Sequence, residues 1–313
     1  MIYNMSKKVK PQPTDLVKQS NKITTAMHDM TKLEAKAVLL AYSKFTEQDK
    51  EFQAYTFTLH DVAQAISLDT DDHRYLIEVL KKVQKKAMEV WEGEVWSSYM
   101  PLPTVIVNGT AKTVTFRLNP DLQKHFLELR REYTMFPAEF ALRLQGKYSM
   151  RIYQLVVQWQ GKSDAKGFWN VKLDVAELRA MFKLKPEEYK LIARFRIDVI
   201  ERSVAEINDA QIGLFITHGL PDREGKHLVA FNLRVQQVKP GEAKRVAEPT
   251  KAELTDEQYI AKHQDGYDYW LKFVTEQNEF DFKPFQSESA RNIMRSQEAL
   301  KRLRENKGKA GNV

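Results

Sequence analysis

Five basic residues, Lys185, Lys190, Arg194, Arg196 and Arg202, stand within or just ahead of one amphipathic stretch, Glu187 to Asn208 (EEYKLIARFRIDVIERSVAEIN). The chemistry such residues bring is recognition of a polyanion. A guanidinium fork matches the O6/N7 edge of guanine, and a lysine ammonium meets phosphate as a point charge. On a 3.6-residue wheel Ile192, Phe195, Val199, Ile200, Val204 and Ile207 share one apolar arc, while Lys190, Arg194, Asp198, Glu201 and Arg202 face away from it. Pro186 predicts the start of this helix, because a missing N–H is harmless at the first helical position. Arg196 falls inside the apolar arc, so the helix is rotated or bent there, or the arginine reaches out along its stem. A surface helix with solvated charges carries the same pattern, and the case for a DNA reader rests on its surroundings.

Other chemistries find no matching spacing. Gly161-Lys162-Ser163 ends like a phosphate-binding loop, but that pattern needs glycine where Val156 stands. A metal-dependent DNA-nicking enzyme needs two histidines flanking one apolar residue. His28, His60, His73, His125, His218, His227 and His263 never fall at that spacing. Asp71-Asp72 and Glu187-Glu188 sit at predicted helix starts, where carboxylates complement the macrodipole. With no cysteine there are no disulfides, thiolate metal sites or cysteine nucleophiles. The expectation is a binding protein with no catalytic residue, no metal and no cofactor.

The elements that must position the basic helix follow from both flanks. Before it, Leu173 to Phe182 reads as a short helix capped by Asp174, with Glu177 in capping-box spacing. A short helix, a tight turn and a longer basic helix make a helix-turn-helix, whose second helix enters a DNA major groove. After it, Ile212 to His218 and His227 to Val235 read as strands around a breaker-rich turn, Gly219 to Lys226. That hairpin is a wing, and it carries Arg223 and Lys226. Upstream, Met150 to Gln160 reads as an amphipathic helix and Phe168 to Leu173 as a strand, which completes the winged-helix order.

The same order occurs earlier. Thr31 and Glu34 have capping-box spacing at the head of a helix (TKLEAKAVLLAYSKF), Phe52 to Leu59 is β-prone, and His60 to Ile66 is a short helix. Arg74 to Val90 is read as one long helix with Leu76, Val79, Leu80, Val83, Ala87 and Val90 buried, leaving Arg74, Lys81, Lys82 and Lys85 for DNA. Trp91 to Met100 and Thr104 to Leu118 supply strands, the latter folded at Asn108-Gly109. Asp61-Val62-Ala63 recurs as Asp174-Val175-Ala176 between equivalent elements, which points to internal duplication. Asn119-Pro120-Asp121 opens a helix to Leu129, and Phe136-Pro137 begins a shorter one. The fold class expected is α+β, helix-rich, with two tandem winged helices and a C-terminal helical tail. The domains are 1–22, a flexible arm; 23–134, the first winged helix; 135–238, the second; 239–255, a linker; and 256–313, a helical basic tail. From Arg291 onward that tail has seven Lys or Arg against Glu298 and Glu305, a net of +5.

Composition agrees. At 313 residues and 42% apolar content the chain has room for about two domains with real cores. A net charge of +7 and an isoelectric point near 9.2 favour a polyanionic partner. No apolar run approaches the roughly 20 residues that span a bilayer, and MIYNMSKKVKPQP lacks a signal-peptide core. The cytoplasm is the expected compartment, with no membrane partner.

The sequence resembles the replication initiator (Rep) proteins of iteron-containing plasmids, a bacterial family with two tandem winged helices. The resemblance runs through Ser149-Met-Arg-Ile-Tyr-Gln-Leu155, Leu173-Asp-Val-Ala-Glu-Leu-Arg179 and Tyr189-Lys190 … Phe195-Arg196 … Val199-Ile200-Glu201 … Val204-Ala-Glu-Ile-Asn208, and more loosely through Leu33 to Leu40. It covers roughly residues 15 to 238. The sequence departs from the family pattern at Arg202-Ser203, where proline and alanine are usual, and at Ile197-Asp198, where basic residues are common. The resemblance implies monomers on direct repeats (iterons) of double-stranded DNA at an origin, opening of adjacent A·T-rich DNA, and recruitment of the host replication initiator and replicative helicase. It also implies a homodimer, in equilibrium with the DNA-binding monomer, that represses the protein's own promoter. A tandem winged-helix repressor with no role in replication is the competing reading, and an enzyme acting on DNA ranks third.

Overall fold

A computed structural model describes residues 7–8, 15–45, 49, 51–68, 73–127 and 129–241. The chain divides into two compact units, Met1–Lys244 and Arg245–Val313. The second unit lies outside the described residues, and with it fall the helical tail and all but the start of the 239–255 linker. None of the described helices is long and apolar enough to cross a membrane.

The first domain begins earlier than its sequence suggests. After β1 (Lys7–Lys8), β2 (Leu16–Ser20) pairs antiparallel with residues 133–137, placing Val17 against Phe136 in the core. Residues 16–20 are therefore part of the fold and not of a flexible arm, because their strand partner lies more than 110 positions away and leaves no local signal. A short α1 (Asn21–Thr24) leads to α2 (Lys32–Tyr42), whose Thr31–Glu34 capping box is formed in both directions. Next come β3 (Ala54–Thr58), α3 (Leu59–Ala65) and α4 (His73–Val83). The expected helix to Val90 ends at Val83. Residues 88–92 form β4 instead (Met88–Glu92), turning at Gly93 (φ +65°) into β5 (Val95–Tyr99). Gly93 is the break that lets Val90 and Trp91 work as a strand. β6 (Thr104–Asn108) and β7 (Thr113–Arg117) complete a sheet in the order β1-β3-β7-β6, with Phe57 and Phe116 tilted together 5.6 Å apart beneath it.

Asp61-Val62-Ala63 and Asp174-Val175-Ala176 do not occupy equivalent positions. Thr58 caps α3, so Asp61 is already inside that helix, whereas Asp174 is itself the cap of its own. The domains repeat the order of elements, but this short match is not a register between them.

The connection is ordered but not one helix. Asn119 caps a 3-10 turn (Pro120–His125), β8 (Tyr133–Pro137) pairs with β2, and α5 (Ala138–Arg143) follows. α6 (Ser149–Val157) has every residue buried, contrary to an amphipathic helix with a wet face. It is sandwiched because α5, β8 and α1 cover it on one side and the second domain on the other.

The second domain contains β9 (Phe168–Asp174), α7 (Val175–Met181), α8 (Ile192–Phe195), a π-helical turn (Arg196–Glu201) and α9 (Arg202–Asp209). Its sheet is centred on β12 (His227–Gln237), which pairs with β9 on one edge and with β10 (Leu214–His218) and β11 (Asp222–Glu224) on the other. The recognition helix thus starts at Ile192 and not after Pro186.

Candidate nucleic-acid interface

That late start has a visible cause. The Arg179 guanidinium, on α7, donates to the carbonyls of Lys185 (3.1 Å), Glu188 (2.7 Å) and Tyr189 (3.4 Å) and lies 6.0 Å over the Phe195 ring. Glu188 accepts from the Lys185 N–H at 2.8 Å, and Tyr189 adopts a left-handed backbone (φ +53°). These donors hold residues 185–189 as a turn, which the Glu188 N–H closes on the Lys185 carbonyl at 3.0 Å. Tyr189 then packs between Tyr148 (6.3 Å) and Phe195 (5.9 Å), and Phe195 stacks on Phe231 at 6.1 Å. Lys185 and Lys190 are exposed on this turn, ahead of the helix.

The helix itself carries its charges in carboxylate-bound form. Asp198 holds Arg202 at 2.9 Å and Arg194 at 3.5 Å, while Arg196 pairs with Glu201 at 3.1 Å. The π-helical turn accounts for Arg196. One extra residue in the turn shifts the phase of the wheel, so Phe195, Val199, Ile200, Val204 and Ile207 stay buried and Arg196 reaches the edge, about one third exposed. No proline is needed for this irregularity. Ser203 is buried and donates back to the Val199 carbonyl at 2.6 Å. Ile192, expected in the arc, is instead 38% exposed.

The wing is the pair β11–β12, turning at Gly225-Lys226 (Gly225 φ +61°). Arg223 and Lys226 are exposed there, and Lys172 braces the wing through Asp222 at 2.6 Å. In the first domain Arg74, Lys81 and Lys82 are exposed on α4, and Lys85 is exposed just beyond its end. Lys81 is paired with Glu78 at 2.6 Å, and that contact holds the Glu78 carboxyl below its usual range.

The turn of each helix-turn-helix is tied to a distant part of the chain. Lys183 forms an ion pair with Glu89 of β4, and Glu89 also accepts from the Trp96 indole at 3.3 Å. Ser67, in the turn after α3, accepts from Lys36 (2.8 Å) and from Gln145 (3.1 Å), while Glu206 of α9 accepts from the backbone N–H groups of Gln145 and Gly146. A Cβ at Gly146 would press on the Ser149 hydroxyl and the Glu206 carboxylate, so any larger residue there has to move those side chains. Arg151 of α6, buried, donates to the Ala26 carbonyl at 2.7 Å, and the His28 backbone N–H donates to the Met181 carbonyl at 3.1 Å. Burial, then the neighbouring Arg151, Lys183 and Lys86, holds His28 well below its ordinary value and so neutral.

None of Arg179, Lys183, Arg151, Lys36 or Glu206 was singled out by spacing. Arg179 alone left a trace, as the single basic residue in the first helix of the second helix-turn-helix, Val175–Met181.

A helix-turn-helix followed by a wing, twice in one chain and with basic residues exposed on both second helices, defines a tandem winged-helix protein. The chain belongs to the initiator replication protein family: the family's first winged-helix model (Initiator Replication protein, WH1) matches residues 16–157, and its second (Initiator Rep protein, WH2) matches residues 174–235. Among solved structures, the crystal structure of Pi initiator protein in complex with iteron DNA is similar with a TM-score of 0.57 at 13% identity, covering 72% of this chain and 99% of that one. No curated protein sequence matches the chain.

Proposed function

We propose that this replication initiator binds direct repeats at an origin as a monomer, setting its two recognition helices in successive major grooves of one duplex face. The observation that supports this reading is the presence in one chain of two helix-turn-helix units, each with a turn tied to a distant part of the chain, through Lys183–Glu89 and through Ser67–Gln145–Glu206. In the second domain Lys190 and Arg194 read base edges, with Arg196 and Arg202 beside them. Lys185, Arg223 and Lys226 position the phosphate backbone, as do Arg74, Lys81, Lys82 and Lys85 in the first domain. A single winged helix covers only about 600–1,000 Å², and a tethered second one raises avidity by roughly 10²–10⁴. The Pi initiator protein, similar in fold, was crystallised in complex with iteron DNA, which agrees with this choice of ligand. Opening of adjacent A·T-rich DNA, recruitment of a host initiator and helicase, and repression of its own promoter by the dimer complete the proposal, in the bacterial cytoplasm and without catalysis by this chain. A plasmid carrying only the presumed origin and this gene tests it: replication supports the initiator, and promoter repression without replication supports the repressor reading.

A further inference from the structure

The N-terminal tip of the recognition helix carries apolar side chains that the protein does not use internally. Leu191 is 61% exposed and Ile192 38%, while Phe195, Val199 and Ile200 of the same helix are fully buried. The reason is steric. Tyr189 fills the slot between Tyr148 and Phe195, so the next residues in the chain have no core position left to occupy. In a helix-turn-helix this end of the second helix is the part that meets base edges. The arginine fork nearest the tip, Arg194, is engaged by Asp198 within the helix, and the other exposed groups at the tip are the apolar pair and the Lys190 ammonium. Two exposed aliphatic chains are complementary to an apolar group, and the one apolar group that B-DNA displays in its major groove is the thymine C5-methyl.

We propose that Leu191 and Ile192 read thymine methyl groups in the major groove. The proposal rests on the DNA-binding reading above and adds the base class that the second domain selects. Each methyl buried against an aliphatic side chain is worth about fourfold in Kd.

The test uses the full chain and duplexes that it enriches from a randomised pool. Each thymine of the enriched site is replaced singly by deoxyuridine, which deletes the methyl and keeps Watson–Crick pairing. One or two positions are expected to lose about fourfold in affinity for the unaltered protein, and Leu191→Ala or Ile192→Ala should make those positions indifferent to the replacement. No thymine responding with the unaltered protein overturns the proposal, whatever the variants do, and so does a response that persists undiminished in both variants. Failure of the pool to enrich any sequence overturns the DNA-binding reading itself, a result distinct from enrichment without methyl dependence.

Discussion

Ser67 and Lys183 occupy the same place in their two domains. Each follows the C-cap residue of the first helix of its helix-turn-helix with a left-handed backbone, φ +59° and +49°, and each is tied toward the other domain. Ser67 reaches Glu206 through Gln145, and Lys183 reaches Glu89 directly. The turn that sets the angle of each recognition helix is thereby anchored on the neighbouring domain.

Breaking this anchor should loosen the spacing of the recognition helices without unfolding either domain. Lys183 and Glu89 are partly exposed, 37% and 23%, and such pairs are worth at most about 1 kcal/mol. Glu89→Gln is expected to weaken binding to a complete repeat by about fivefold and to leave binding to a half-repeat unchanged. The exchange Glu89→Lys with Lys183→Glu should restore the complete-repeat affinity. Equal losses on both duplexes in a titration would remove the seam from DNA recognition.

A second test concerns Lys36, which is wholly buried beside Ser67. Burial, and then the neighbouring Lys32, pushes its ammonium down to about 8 from 10.5. Between those values the unfolded chain keeps the proton that the folded chain has released, so stability contributed by this group rises with pH across that window. Below it both states are charged and the full burial penalty is present. Lys36→Met should therefore be more stable than the parent at pH 7, by ~2 kcal/mol, with the gap closing toward pH 10. The difference between the two proteins is the quantity to measure in urea, because Tyr42 and Tyr153, pushed up by burial, oppose the trend in both at the alkaline end. A variant less stable than its parent at pH 7 would mean that the Ser67 bond outweighs the burial.

What the sequence made legible was local. The Thr31–Glu34 capping box, the Asp174 cap and the wheel from Phe195 to Ile207 depend on residues within a few positions of each other, and all of them form. Pro186 misled because three carbonyls around it are captured by Arg179, a side chain on the preceding helix. Lys85 to Val90 misled because a helical stripe and a strand share apolar residues until Gly93 and the partner strand decide between them. The seam was not legible at all, since Ser67 and Gln145, or Glu89 and Lys183, meet only through the tertiary fold.

Asp198 restrains two arginines at once, so Asp198→Asn should free both and add one positive charge to the DNA-facing side. Affinity for random duplex is expected to rise about three- to tenfold at low salt, with a salt slope steeper by about 1. Arg194→Ala should behave oppositely and selectively, weakening the cognate repeat by ~1–3 kcal/mol while changing random DNA less. Equal weakening of both by Arg194→Ala in fluorescence titrations would demote it to a phosphate contact.

In the first domain the expected contacts carry no sequence information. Lys81→Ala with Lys85→Ala should lower the slope of log affinity against log salt by about 2 and weaken all sequences alike. Since Lys81 already pairs with Glu78, an unchanged slope would identify both lysines as solvated charges.

The last prediction is geometric. Helices on one DNA face lie about 10–10.5 bp apart, and a flexible tether would follow its second half-site when a whole helical turn is inserted between them. Here the connection contains β8, α5 and α6, all packed, and both turns are tied across the seam. Insertion of either 5 or 10 bp at the centre of a repeat should therefore reduce binding to that of one domain, with no recovery at 10 bp. In the parent repeat a single chain should protect two successive major grooves from hydroxyl radicals. An inverted operator, which mirrors a two-fold protein, should take two chains, and the seam must then give way for both domains of each to engage. Mass measurement of the defined complexes decides the stoichiometry. Full affinity after a 10-bp insertion, or two chains on one direct repeat, would show that the domains are not held in register by the contacts described.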